Sequence, residues 1–259
     1  MIVHPDDPSL HLIEVADLDL PHPPPEARAH RDALRAVIGW AGTYLCRPHP
    51  DLGRNGPVCP YAQGSLSRGR FYLAVPGTDP RTVEDVVALV EPYRAWFTGL
   101  APRGGPDAVF TTILILLPGL AGRVALVDAA QEALKDRFVE EGLMIGEFHD
   151  GPPDKPGLWN PLLRPLSGPV PLLAIRHMVA TDLPFLHLDP AHRDAYLARF
   201  GGRIPVHLRE TVTEAGSMEA TVTDAVTGAV AGAVTATVTG AVRDAATGTA
   251  LETVLEGAE

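Results

Sequence analysis

The 259-residue chain is 46% hydrophobic and 20% charged, apolar enough to bury a core unaided. No run reaches the roughly eighteen apolar residues of a membrane span, and the start "MIVHPDDPSLHL" lacks the basic-then-apolar order of a secretion signal, so a soluble cytoplasmic protein with no membrane partner is expected. The net charge of −11 is uneven: residues 210–259 hold eight acids and one base, the body is nearly balanced, and no Lys/Arg cluster with interleaved aromatics offers a surface to phosphate backbones, which argues against nucleic acid as a partner.

Residues 1–25, rich in Pro, Asp and His and ending in "PHPPPE", read as a stiff extended lead. From Glu26, "EARAHRDALRAVIGWAGTYL" carries Ala33, Val37, Trp40 and Tyr44 at helical spacing beside Leu34, Ile38, Ala41 and Leu45, and stops at Cys46-Arg47-Pro48. After the loop "GRNGPVCPYAQGSL", "RFYLAV" (70–75) is bounded by Gly69 and Pro76-Gly77 and reads as a strand. "DPRTVEDVVALVEPYRAWF" is a helix with Asp79 as its expected cap and Pro92 as an expected kink or break. "AVFTTILILLPG" is a branched apolar run suited to a central strand.

"VALVDAAQEALKDRFVEEG" repeats the amphipathic pattern up to Gly142, a natural stop. "LMIGEFH" and "VPLLAIRHM" read as two further strands around the Pro- and Gly-dense loop "DGPPDKPGLWNPLLRPLSGP", and "DPAHRDAYLARF" as a last helix. This order implies an α+β domain over 26–205, a small mixed sheet of about four strands packed with helices. Residues 206–259 form an Ala/Thr/Val/Gly tail with Val every four residues from Val222 to Val242, a low-complexity extension without a catalytic part.

Two places could carry chemistry. Glu147 and His149, two apart on one strand, share a face, and Arg176 and His177 lie on the next strand; a carboxylate, two imidazoles and a guanidinium are therefore expected to converge on one cavity. The intervening loop is long enough to suggest function, with Trp159, Asn160 and Arg164 lining or covering the site. The plainer alternative makes the histidines hydrogen-bonded filler, Arg176 a partner of Glu147, and Trp159 packing. Cys59, wedged between Pro57 and Pro60, is either a thiolate activated by Arg54 or His49 or, in the preferred alternative, a small buried wall residue. Two cysteines, Cys46 and Cys59, make neither a disulfide framework nor a C-x-x-C zinc site, so reduced thiols are expected. Motifs for dinucleotides, the phosphate-binding loop, zinc proteases and serine hydrolases are absent.

The blocks "PHPDLGRNGPVCPY", "EGLMIGEFHDGPPDKPGLWNP" and "RPLSGPVPLLAIRHMVATDLPFL" resemble a family of uncharacterised bacterial and fungal proteins known only as a domain of unknown function, over Leu34 to Gly201. The progression from "PVCPYAQGSLSRGRFYLAV" through a strand ending Phe-His to an Asn-Pro and arginine loop is more distantly similar to the YcgG-type heme proteins, some of which hydroxylate nitrogen on amino acids. That similarity implies heme as cofactor, His149 as its axial ligand, Cys59 in a pocket-closing loop, and Arg164 or Arg176 holding a propionate or a substrate carboxylate. The function so implied is heme-dependent oxidation of a small amino-acid-like or amine substrate. The alternatives are a cofactor-free enzyme using Cys59 with His149 or His177 for acyl or thiol chemistry, and a non-catalytic binding module.

Overall fold

The computed structural model describes residues 1–52, 55–154, 160 and 163–209. The expected tail therefore lies outside the described residues from residue 210, as does Trp159. The lead is not merely extended. Its prolines Pro5 and Pro8 sit in a turn, leaving Ile2–Val3 (β1) and His11–Glu14 (β2) free to pair antiparallel.

The helix expected from Glu26 to Leu45 is interrupted. Pro25–Ala29 (α1) gives way at His30 to Arg31–Trp40 (α2), which widens into a π-helical turn, Ala41–Leu45. There the N–H of Cys46 donates to the carbonyl of Ala41 at 2.9 Å. Ala62–Ser67 (α3) follows the cysteine loop and leads into Phe71–Ala74 (β3).

Val83–Leu100 (α4) starts later than expected. Thr82, not Asp79, is its cap: Thr82 Oγ1 accepts from the Asp85 N–H at 3.2 Å and the Asp85 carboxylate accepts from the Thr82 N–H at 3.0 Å, a reciprocal pair that satisfies two orphan donors. Asp79 is held by Arg81 and Arg123. Pro92 lies inside an uninterrupted helix.

Thr112–Leu116 (β4), Ala125–Glu140 (α5), Leu143–Phe148 (β5), Leu172–His177 (β6) and Pro190–Phe200 (α6) fall where the apolar periodicity places them. Gly142 turns the chain out of α5 with φ +74°, and the Arg103 and Arg199 side chains fill the space where a Cβ would stand.

The sheet has six strands rather than four, in the order β1-β2-β3-β4-β6-β5; β3 and β4 are parallel and every other neighbouring pair antiparallel. Both faces are covered, which is why β3 and β4 read as continuous apolar runs. On one face Tyr72, Ile113, Ile115, Ile145 and Ile175 pack against α4 and α5 through Val90, Phe97, Leu134 and Phe138. On the other, Phe71, Leu73, Leu114, Leu116 and Leu172 pack against α2, the π-helical turn and α3 through Leu34, Val37, Ala41 and Ala62. Among the described residues no helix is long and apolar enough to cross a membrane.

Candidate functional site

The expected convergence of Glu147, His149, Arg176 and His177 does not occur. Arg176 and His177 are consecutive on β6, and side chains alternate across a sheet. Arg176 therefore shares the α2–α3 face with its register partners Thr112 and Met144, while His177 faces α4 and α5. The two histidines share that second face but sit at opposite ends of it. Leu143 pairs with His177 and Phe148 with Leu172, which separates His149 from His177 by roughly 20 Å along the strands.

Each histidine is engaged locally. His177 is 6% exposed; its Nε2–H donates to the Ala101 carbonyl at 2.7 Å and its ring packs edge-on to Phe97. His149 is 1% exposed, with Nε2 2.8 Å from an Asp128 carboxylate oxygen and Nδ1 2.9 Å from the Asp150 carbonyl. A heme iron needs a ring nitrogen with a free lone pair directed into a cavity. Both nitrogens of His149 face oxygen acceptors instead, so its surroundings do not fit an axial ligand. Among the described residues no group of three His, Cys, Asp or Glu side chains is arranged to hold a metal ion.

Two of the named residues do meet. Cys59 and Arg176 line a cavity of about 150 Å³ on the α2–α3 face; Glu147 borders it from β5, while alternation places its side chain with Ile145 and Leu173 on the α4–α5 face. The cavity floor is the register pair Gly146 and Ala174; these mid-strand residues stay partly exposed while Ile145 and Ile175 beside them are buried, because neither carries a side chain large enough to fill the gap. Trp40, Tyr61, Phe71, Phe148 and Phe185 form aromatic walls. A cavity of about 150 Å³ accommodates a benzene-sized molecule and falls below the roughly 300–1,000 Å³ of sites for drug-sized ligands. A porphyrin is larger again.

The cysteine loop is pinned to the end of α2. Cys59 and Val58 donate their N–H groups to the carbonyls of Leu45 and Arg47, both at 2.9 Å, and Pro48 bridges Pro57 antiparallel. The π-helical turn supplies Leu45 to the cavity wall, and Trp40 precedes it. Arg176 is clamped by Asp182, with two N–H···O contacts of 2.7 Å, and Asp182 also accepts the Val179 N–H at 2.8 Å. Burial opposes the guanidinium charge, yet Asp182 more than offsets it and holds Arg176 above its ordinary range. Burial, and then the Asp182 charge, push the Tyr61 phenol up. Where the cavity meets the edge strand β5, Gln131 donates to the Ile145 carbonyl and Lys135 to that of Phe185, both at 3.0 Å.

Arg164 is elsewhere. It pairs with Asp154 at 2.6 Å and borders an open groove with Tyr44, His49, Asp51 and Asp150. Sequence reasoning missed Tyr61 and Asp182, although both stand in the quoted blocks. An acid six residues beyond a strand arginine has no spacing that marks it as that arginine's partner.

No curated protein and no solved structure matches the chain. The model of the family described as "Domain of unknown function (DUF6875)" matches residues 34–211, which include every cavity-lining residue named above, and the chain belongs to that family.

Proposed function

We propose that the chain binds a small, uncharged, largely apolar or aromatic molecule in the cavity over Gly146 and Ala174. The observation that carries this reading is a void kept open over the β5–β6 pair by two small residues and walled by five aromatic rings. Asp182 neutralises Arg176, so the polar end of the cavity, with the Tyr61 hydroxyl and the Cys59 thiol, suits a hydroxyl or amide better than a free carboxylate. Neither His149 nor His177 stands beside Cys59, which favours binding over thiol catalysis.

The test is thermal unfolding with phenol, cyclohexanol and benzoate as probes. At ten times its dissociation constant a bound probe stabilises by about 1.4 kcal/mol, which for a domain of this size raises the midpoint by about 3–5 °C. Phenol or cyclohexanol is expected to raise it and benzoate to leave it unchanged. Ala174→Leu, which puts an isobutyl group into the void, abolishes the response. A response that survives Ala174→Leu, or none with either neutral probe, overturns the proposal.

A further inference from the structure

The expectation of two ordinary reduced thiols leaves out where the fold places them. The Pro48–Pro57 bridge and the Val58 N–H to Arg47 carbonyl bond hold the segment that carries Cys59 against the end of the π-helical turn, where Cys46 lies. The Cys59 N–H donates to the carbonyl of Leu45 at 2.9 Å, and that carbonyl carbon is bonded to the Cys46 nitrogen. Cys46 caps the π-helical turn with φ −83° and ψ 3°, and one hydrogen bond and one peptide linkage separate the two residues, the close approach that a disulfide's roughly 4.4–6.8 Å between Cα atoms requires. Both thiols are free and half-buried, and both pack on the same apolar cluster.

We propose that Cys46 and Cys59 form a two-thiol redox site that closes to an intramolecular disulfide in the presence of a hydroperoxide. Cys59 faces the cavity and is the thiol that a small oxidant meets there. Its sulfur attacks the terminal peroxide oxygen, the O–O bond breaks, and Cys59 becomes a sulfenic acid as one water, or alcohol, leaves. The Cys46 sulfur then attacks the Cys59 sulfur; the S–S bond forms, the S–O bond breaks and a second water departs. Two thiols have lost two electrons and two protons, and the peroxide has gained them. Burial, and then the nearness of Cys59, push the Cys46 thiol up, which disfavours its own attack on the peroxide. This proposal stands on the backbone bonds between the two segments and does not depend on what the cavity binds.

The experiment treats the full chain with hydrogen peroxide, blocks remaining thiols by alkylation, and maps the digest by mass spectrometry. Reduced protein is expected to give two alkylated cysteines. Peroxide-treated protein is expected to give none, to remain the size of the untreated protein, to weigh two hydrogens less, and to yield one cross-linked peptide pair containing Cys46 and Cys59 that dithiothreitol separates. In Cys46→Ser the sulfenic acid on Cys59 has no partner and is trapped by a 1,3-dione. Wild-type protein that keeps both thiols alkylatable, links only between chains, or oxidises either sulfur to a sulfinic acid without the cross-link overturns the proposal, and that readout needs no variant to fold.

Discussion

His177 shows how a residue that looks chemical in the sequence is structural in the fold. Burial holds its imidazole below the ordinary histidine range; the bond to Ala101 opposes this and the Arg103 charge reinforces it. The consequence for stability has a definite sign. Near the unfolded value of about 6.5 the unfolded chain takes a proton that the folded chain refuses, so stability is full above that pH and is lost as pH falls towards the folded value. Urea unfolding of wild type and His177→Gln, compared from pH 8 to pH 5, is expected to show the wild type losing stability below about pH 6.5 that the variant keeps. Parallel curves would mean that His177 is protonated as readily folded as unfolded.

At the level of elements, Pro92 separates local propensity from tertiary demand. It lacks the N–H that would bond the Ala88 carbonyl, yet α4 runs through it because Val90, Tyr93 and Phe97 bury their side chains against the sheet. A proline in a helix interior costs about 3 kcal/mol, against the ~0.4–1 kcal/mol that its ring contributes by restricting the unfolded chain. Pro92→Ala is therefore expected to stabilise by about 2 kcal/mol. Equilibrium denaturation reads this as a higher midpoint at an unchanged slope. A lower midpoint would show that ring packing outweighs the missing bond. Most elements of this kind were visible from periodicity alone: β3 to β6 and α4 to α6 lie within a few residues of the expected spans. The cap of α4 was misplaced because Asp79-Pro80 imitates a helix start that the Thr82–Asp85 pair outcompetes.

At the scale of the whole molecule, what sequence could not convey was which strands become neighbours. Cys59 and Arg176 were each conspicuous in their own segments, but their meeting depends on β6 lying between β4 and β5, an order no local pattern encodes. The same limit hid the N-terminal hairpin. β2 pairs with β3, and its adjacent residues Leu12 and Ile13, both fully buried, enter the two opposite cores; Leu18 follows at 2% exposure. Burying each such side chain is worth about 1.5–3 kcal/mol, so residues 1–20 supply about 5–9 kcal/mol, comparable to the roughly 5–15 kcal/mol by which whole domains are stable. They also shield β3, whose four residues are all buried and whose backbone would otherwise be a bare apolar edge inviting another chain. Although the family match begins only at residue 34, removal of residues 1–20 is expected to abolish cooperative unfolding or to drive self-association, read by circular dichroism and size-exclusion chromatography. A truncated chain that elutes and unfolds like the full one would show that the stable sheet ends at β3.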